Sequence, residues 1–362
     1  MTEAPLGGVR VLDFSTLLPG PLATLYLAQA GAEVIKIERP AGGDPVRSYP
    51  PFREGKSILF ELLNGGKQSV VLDLKDPVPR SRFLELVRSV DVLVEQFRPG
   101  VMARLQLDFD SLRTVHPELI YCSISGYGQH GARNQVVGHD LNYQAWTGLL
   151  ALASEHDGRR IVPALIADIA GGAHAAVINI LLALRSREQT GQGCYLDIAM
   201  TDGLSPFMLS ALANWSVGNS VPGAGNDLLT GGSPRYQLYR TADGRHLAAA
   251  PLEEHFWQRF AELIRLPEGS RSQGADPETV REMVAGIIAA ESAAYWEARF
   301  EGEDVCCTLV RGLSEALADP AVVGRHRVRS DGAAAVDLLA IPGAVSTGGA
   351  PSCGQDNQRF GF

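Results

Sequence analysis

Two short stretches hold residue types suited to acid–base chemistry. "VVGHDLNYQAWTG" (136–148) sets His139 beside Asp140, and "ALIADIAGGAH" (164–174) sets Asp168 ahead of Gly171 and Gly172. Each runs on into apolar residues at helical spacing. Each aspartate therefore reads as an N-cap, its side-chain oxygen accepting from a free N–H of its own helix. A histidine at such a terminus feels the positive end of the helix dipole, which favours a neutral imidazole able to take a proton. Free backbone N–H groups at the same turn can bind a developing oxyanion. A base beside an oxyanion site is what removal of a proton α to a thioester carbonyl requires. Asp168, where the two glycines allow close backbone approach, is the candidate that returns the proton on the opposite face.

The elements that must position these residues are legible upstream. "GVRVLDFS" is a β-branched, apolar run and reads as a strand. Pro21 suits a first helical turn, Gly31 a stop, and "AEVIKIE" a second strand. Strand–helix–strand within about 30 residues implies a parallel sheet. "SVVLDL", "PRSRFLELVRSV", "VLVEQF" and "SLRTVH" into "ELIYCSISG" repeat the pattern. The expectation is an α/β fold: a Rossmann-like, doubly wound large domain over residues 1–203, with helices over 141–153 and 169–187 and a strand in "GCYLDIAM". The glycine fingerprint G-x-G-x-x-G is absent, so dinucleotide binding has no support. Residues 204–224 read as a linker and 225–319 as a smaller α+β domain, with a hairpin turn at Asp243-Gly244 and helices near 253–264, 277–290 and 292–300. The segment 320–362 is expected to return to the large domain, ending in a tail poor in structure by composition, "STGGAPSCGQDNQRFGF".

The 362 residues are 45% hydrophobic, enough to bury a substantial core. A net charge of −9 argues against nucleic acid as a partner. Residues 1–104 carry 13 Lys and Arg against 12 Asp and Glu, leaving 19 against 29 for the rest, so the N-terminal part better serves an anion. The start shows no signal peptide, and "GGAHAAVINILLALR" is too short for a membrane span and carries Asn179. Five cysteines without C-x-x-C spacing fit reduced thiols in a cytoplasmic protein. The other histidines show no metal spacing, so no metal site is expected, and "CSISGYG" is not a nucleophile elbow.

At "GHDLNY" and "ALIADIAGG" the sequence resembles the α-methylacyl-CoA racemase branch of the family III CoA-transferases. "GVRVLDFSTLLPGPLATLYLAQAGAEVIKIERP", "SVVLDLK", "VLVEQFRPGVMARL", "PELIYCSISGYGQHG" and "GQGCYLDIAMTDG" carry the resemblance through residues 7–203, and "GGSPRYQLYRTADG" and "PLEEHFW" continue it as islands. The resemblance implies an acyl-CoA substrate, no further cofactor, and an interlocked homodimer. It makes His139 and Asp168 the acid/base pair of a 1,1-proton transfer and joins Asp140 to the site. It also implies that the Glu253 carboxylate accepts a hydrogen bond from the histidine, with Glu254 as competitor. For the CoA phosphates the candidates are Arg39, Arg47, Lys67, Arg98 beside Phe97, and Arg104, because arginine's planar fork grips phosphate.

The sequence departs from the family pattern in two places. The usual "NRGK" is "NGGK" here, Asn64 to Lys67, and "QAWTG" follows the transferase branch. Trp146 there either narrows an acyl pocket or joins the core. A CoA-transferase is the rival reading, with Asp168 as nucleophile; a non-catalytic acyl-CoA binder is the third. His139 favours the racemase, since transfer needs no base there. The acyl group stays open.

Overall fold

The computed structural model describes residues 3–74, 76–153, 161–218, 221–272, 274–321 and 336–362. Six short runs of apolar and β-branched residues form one parallel sheet: β1 (Arg10–Asp13), β2 (Glu33–Glu38), β3 (Gln68–Val71), β4 (Val92–Glu95), β5 (Ile120–Ser125) and β6 (Tyr195–Ala199). Their order is β3-β2-β1-β4-β5-β6, so the direction of winding reverses between β1 and β4. Open sheets of this kind leave a crevice at the carboxyl ends of the strands at that reversal. β4 and β5 are buried throughout, as a sheet covered on both faces demands.

Helix α1 (Pro19–Gln29) has Pro19 and Pro21 in its first turn, where missing N–H groups cost nothing. Helix α2 (Pro77–Val87) brings Phe83 and Val87 into a core with Phe14, Leu93 and Leu112. Helix α3 (Asp140–Thr147) follows the His139 loop. A π-helical turn, Ala167–His174, runs straight into α4 (Ala175–Thr190), closed by Gly191 at φ 66°. Together they make one 24-residue helix whose most apolar 18-residue window has a mean hydropathy of 1.6, long and apolar enough by length and composition to cross a membrane. Its buried residues include Ala167, Ala173, Ala176 and Ile180, packed against α1 and β5. Ile178, Leu181 and Leu182 lie exposed on the other side.

Contacts group the chain into two compact units. One comprises residues 1–147, 163–207 and 324–362, the other 148–162 and 208–323. The second unit carries an antiparallel sheet of β7 (Gln237–Arg240), β8 (His246–Ala249) and β9 (Cys307–Leu309). The helices α5 (Glu254–Leu263), α6 (Pro277–Ile288) and α7 (Ala293–Phe300) cover it through Trp257, Phe260, Val284 and Trp296. All five cysteines are free.

Two expectations need correction. Residues 204–224 are not a plain linker: Asp202–Met208 is 3-10 helix and Leu209–Ser216 α-helix. An apolar face on that stretch sustains helix where a loop was read. The terminal tail is also ordered. Asp356 accepts the Ser69 N–H at 2.9 Å, while Asn357 accepts from the Val71 N–H at 2.9 Å and donates to its carbonyl at 3.0 Å. Side chains thereby do for the free edge of β3 what another strand would do. Gln29 ties the segment before it, through Leu338 N–H at 2.7 Å.

Candidate active site

A cleft of about 550 Å³ opens at the carboxyl ends of the strands, where the winding reverses. Leu17 and Pro19 after β1, Phe97 and Arg98 after β4, Ser125 at the end of β5, and Met200 after β6 line it. His139 and Asp168, 29 residues apart in sequence, both face this one cleft. Tyr127, Val136, Val137 and Tyr143 complete much of the wall.

His139 stands at the head of α3. Its carbonyl accepts from the N–H groups of Asn142 at 2.8 Å and Tyr143 at 3.2 Å, and its own N–H donates to the Asn142 side chain at 3.0 Å. The Asn142 side chain thus supplies one half of a capping box, and the exposed imidazole takes no part in it. The first-turn N–H groups of Asp140 and Leu141 have no carbonyl one turn back within the helix. They are the oxyanion donors this terminus offers.

The two aspartates are not the local caps the sequence suggested. Asp140 is buried, and its Oδ1 accepts the backbone N–H of Asp168 at 3.0 Å, across 28 residues. Its other oxygen takes the Gln144 side chain. Asp140 thus caps the other segment and sets where Asp168 begins. Asp168 lies inside the π-helical turn, a geometry often found at functional sites. Burial pushes its carboxyl up to about 6; the Asp140 charge adds to the rise and His139 opposes it. A carboxyl at that level exchanges protons readily near neutral pH. Gly171 and Gly172 are needed here: a Cβ on Gly171 would lie 2.1 Å from the Met200 carbonyl oxygen, and one on Gly172 2.9 Å from Pro19.

Two residues, Tyr143 and Leu17, escaped sequence reasoning. Tyr143 holds the loop by donating to the Gly138 carbonyl at 2.6 Å; its position one turn after His139 was the available signal. Leu17 sits at φ 65° on the cleft wall, a left-handed conformation costly for a side-chain residue. Trp146 neither lines the cleft nor joins the core. It is 55% exposed, and the Arg133 guanidinium stacks on it at 3.7 Å.

The phosphate candidates divide. Arg39 and Phe97 line a smaller pocket of about 210 Å³ over β1 and β2, and Phe97 lines the large cleft as well. Arg98 is exposed on the cleft wall. Arg104 is exposed at the end of the short helix Val101–Arg104 and is not among the residues lining these two pockets. Arg47 is paired with Glu38 at 2.6 Å. Lys67 is a correction. Its side chain is fully buried, and its ammonium bonds Asp13 at 3.1 Å, Thr24 at 2.8 Å, Asn64 at 3.0 Å and the Pro21 carbonyl at 2.9 Å. It neutralises an interior carboxylate and has no donor left to offer a phosphate.

In the second unit, Glu253 is the exposed N-cap residue of α5 with no side-chain cap bond. Glu254 is committed to Arg235 at 2.8 Å. Of the two glutamates, Glu253 is the one whose carboxylate is not engaged within its own unit among the described residues.

The family model for CoA-transferase family III matches residues 6–357. Human alpha-methylacyl-CoA racemase is 34% identical over 322 residues, covering 86% of this chain and 79% of that one. The acetyl-CoA:oxalate CoA-transferase of Acetobacter aceti is 33% identical over 304 residues, covering 81% and 77%. A solved structure of a hypothetical protein from Mycobacterium tuberculosis superposes with a TM-score of 0.84 at 28% identity, over 98% of this chain and 99% of that one. With a cleft at the sheet's reversal point and a family match across nearly its whole length, the chain belongs to CoA-transferase family III.

Proposed function

We propose that the protein racemises 2-methylacyl-CoA thioesters by 1,1-proton transfer. One observation carries this reading: His139 and Asp168 face the same cleft, and the Asp168 carboxyl is raised to about 6. One group removes the α-proton, first-turn N–H groups of α3 hold the enolate oxygen, and the other group protonates the opposite face. Asp140 fixes Asp168 through the bond to its N–H. CoA runs from Arg39 in the small pocket past Phe97 to the cleft, with Arg98, and Arg104 further out, meeting its phosphates. Ile178, Leu181 and Leu182 on α4 suit coverage by a second copy in a homodimer; sedimentation of the purified chain tests this.

The decisive experiment is incubation of each pure enantiomer of a 2-methylacyl-CoA in heavy water. Deuterium at the α-carbon with both isomers in the product is expected. Absent exchange, with CoA passing to a free acid and a covalent adduct on Asp168, would replace this reading by the transferase one, whose relatives are equally similar.

A further inference from the structure

The proposed proton transfer uses neither Arg133 nor Trp146, yet the two meet at the far end of the loop that carries His139. Asn142, Tyr143 and Trp146 share one side of α3, about a turn apart. Each receives a different point of the preceding loop. The Asn142 side chain accepts the His139 N–H at 3.0 Å, the Tyr143 hydroxyl donates to the Gly138 carbonyl at 2.6 Å, and the Trp146 ring lies 3.7 Å from the Arg133 guanidinium. The chain from 133 to 139 is thus anchored along the helix it leads into. It comes close: a Cβ on Gly138 would lie 2.9 Å from the Tyr143 ring. Between the anchors, Asn134, Val136 and Val137 line the cleft beside His139.

The two anchors nearest His139 are hydrogen bonds. The one at Arg133 is not. Its guanidinium makes no hydrogen bond or ion pair among the described residues, and its Nε is buried without an acceptor. It lies instead against two rings, Trp146 at 3.7 Å and Tyr127 at 5.1 Å. A cation over a tryptophan face is drawn to the negative face of the ring, more strongly where water is excluded. Arginine adds a flat surface that lies parallel to the ring. Tyr127 lines the cleft and meets Tyr143 edge to face at 5.2 Å, so the stack continues into the wall. The other bonds at this end lie within the loop: the Asn134 amide donates to the Gln129 carbonyl at 3.0 Å, and the Val136 N–H to the Arg133 carbonyl at 2.9 Å. They shape the loop without tying it to α3.

We propose that Arg133 and Trp146 are positioning residues: their stack ties the start of the loop to α3 and so holds the cleft wall, and His139 at its end, in place against the substrate. Asp168 is held by a separate anchor, the Asp140 bond to its N–H. The two acid/base candidates are therefore set independently, and loss of the stack displaces one without the other. The part assigned to His139 rests on the racemase reading; the tie between loop and helix does not.

The test uses the full chain with Arg133→Ala, Trp146→Leu, Trp146→Phe and the double variant Arg133→Ala/Trp146→Leu. Leucine keeps an apolar helix former and removes the ring, whereas phenylalanine keeps a ring face. Amide hydrogen exchange read by mass spectrometry should be about threefold to tenfold faster over 133–139 in Arg133→Ala and Trp146→Leu, and unchanged over 164–174. Trp146→Phe should restore most of the protection. The double variant should match either single one, since each removes the same interaction. With each pure enantiomer of a 2-methylacyl-CoA in heavy water, Arg133→Ala and Trp146→Leu should slow α-proton exchange mainly from the enantiomer that His139→Ala impairs most. Unchanged amide exchange over 133–139, additive effects in the double variant, or Trp146→Leu as well protected as Trp146→Phe would overturn the proposal. So would equal slowing from both enantiomers in a protein that racemises. A parent chain that exchanges no α-proton ends the racemase reading alone, and amide exchange still decides whether the stack holds the loop.

Discussion

Replacing Asp168 by asparagine should make the folded protein more stable at neutral pH while ending proton transfer. In the folded chain the carboxyl sits at about 6, against 3.8 for an unhindered aspartate, mainly because it is buried. A carboxyl whose folded pKa is raised holds its proton more tightly folded than unfolded. Stability is therefore lost as pH rises from about 4 through about 6, and the loss is complete above that. Two units correspond to about 3 kcal/mol. The side chain keeps some access to water, and screening reduces the expected effect to about 1–2 kcal/mol. Asp168→Asn carries no charge and escapes the penalty. The assay is urea unfolding of both proteins, followed by circular dichroism, at about pH 4 and about pH 7.5. Taking the difference between proteins at each pH cancels the titrating groups that do not interact with Asp168. The variant should match the parent at the acid point and exceed it by about 1–2 kcal/mol at the neutral one. A variant less stable at neutral pH, or a gap equal at both, would refute the claim that burial of an ionised Asp168 is what raises its carboxyl.

Asp140→Asn keeps an acceptor for the Asp168 N–H and removes the neighbouring charge, so the acid limb of the exchange rate should move to lower pH. Asp140→Ala loses the anchor as well and should lower kcat, read from α-proton exchange across the same pH range. Lys67→Met strands the Asp13 carboxylate in the interior and should cost about 3 kcal/mol in urea unfolding, with Asp13→Asn in the same chain recovering part of it. Arg39→Ala and Arg98→Ala should each weaken free CoA by about 1–3 kcal/mol in calorimetry; unchanged affinity in both would move the phosphate contacts elsewhere.

The strands and helices around the site were legible because each is written in local periodicity: "RVLD", "EVIKIE" and "VLVE" as buried strands, the proline and glycine punctuation of α1, and the apolar run of α4. The same local signals put His139 at a helix head and called for glycines at 171 and 172, where a side chain would strike Met200 and Pro19. What no local pattern specifies is the partner a polar side chain will meet. Asp140 had every mark of a cap for its own helix, yet its oxygen went to an N–H 28 residues away, because folding set the π-helical turn against it. Lys67 carried the charge for a phosphate, but the return of β3 beside β2 brought it under α1 and onto Asp13. The tail had the composition of a loop and became the cover of an exposed strand edge, since Asp356 and Asn357 carry acceptors and donors at the spacing β3 leaves open. Sequence alone therefore determined the sheet, its helices and the two acid–base candidates. The tertiary structure decided which charges are spent inside the protein and which face the cleft, because desolvation and hydrogen-bond geometry act between segments that only the fold brings together.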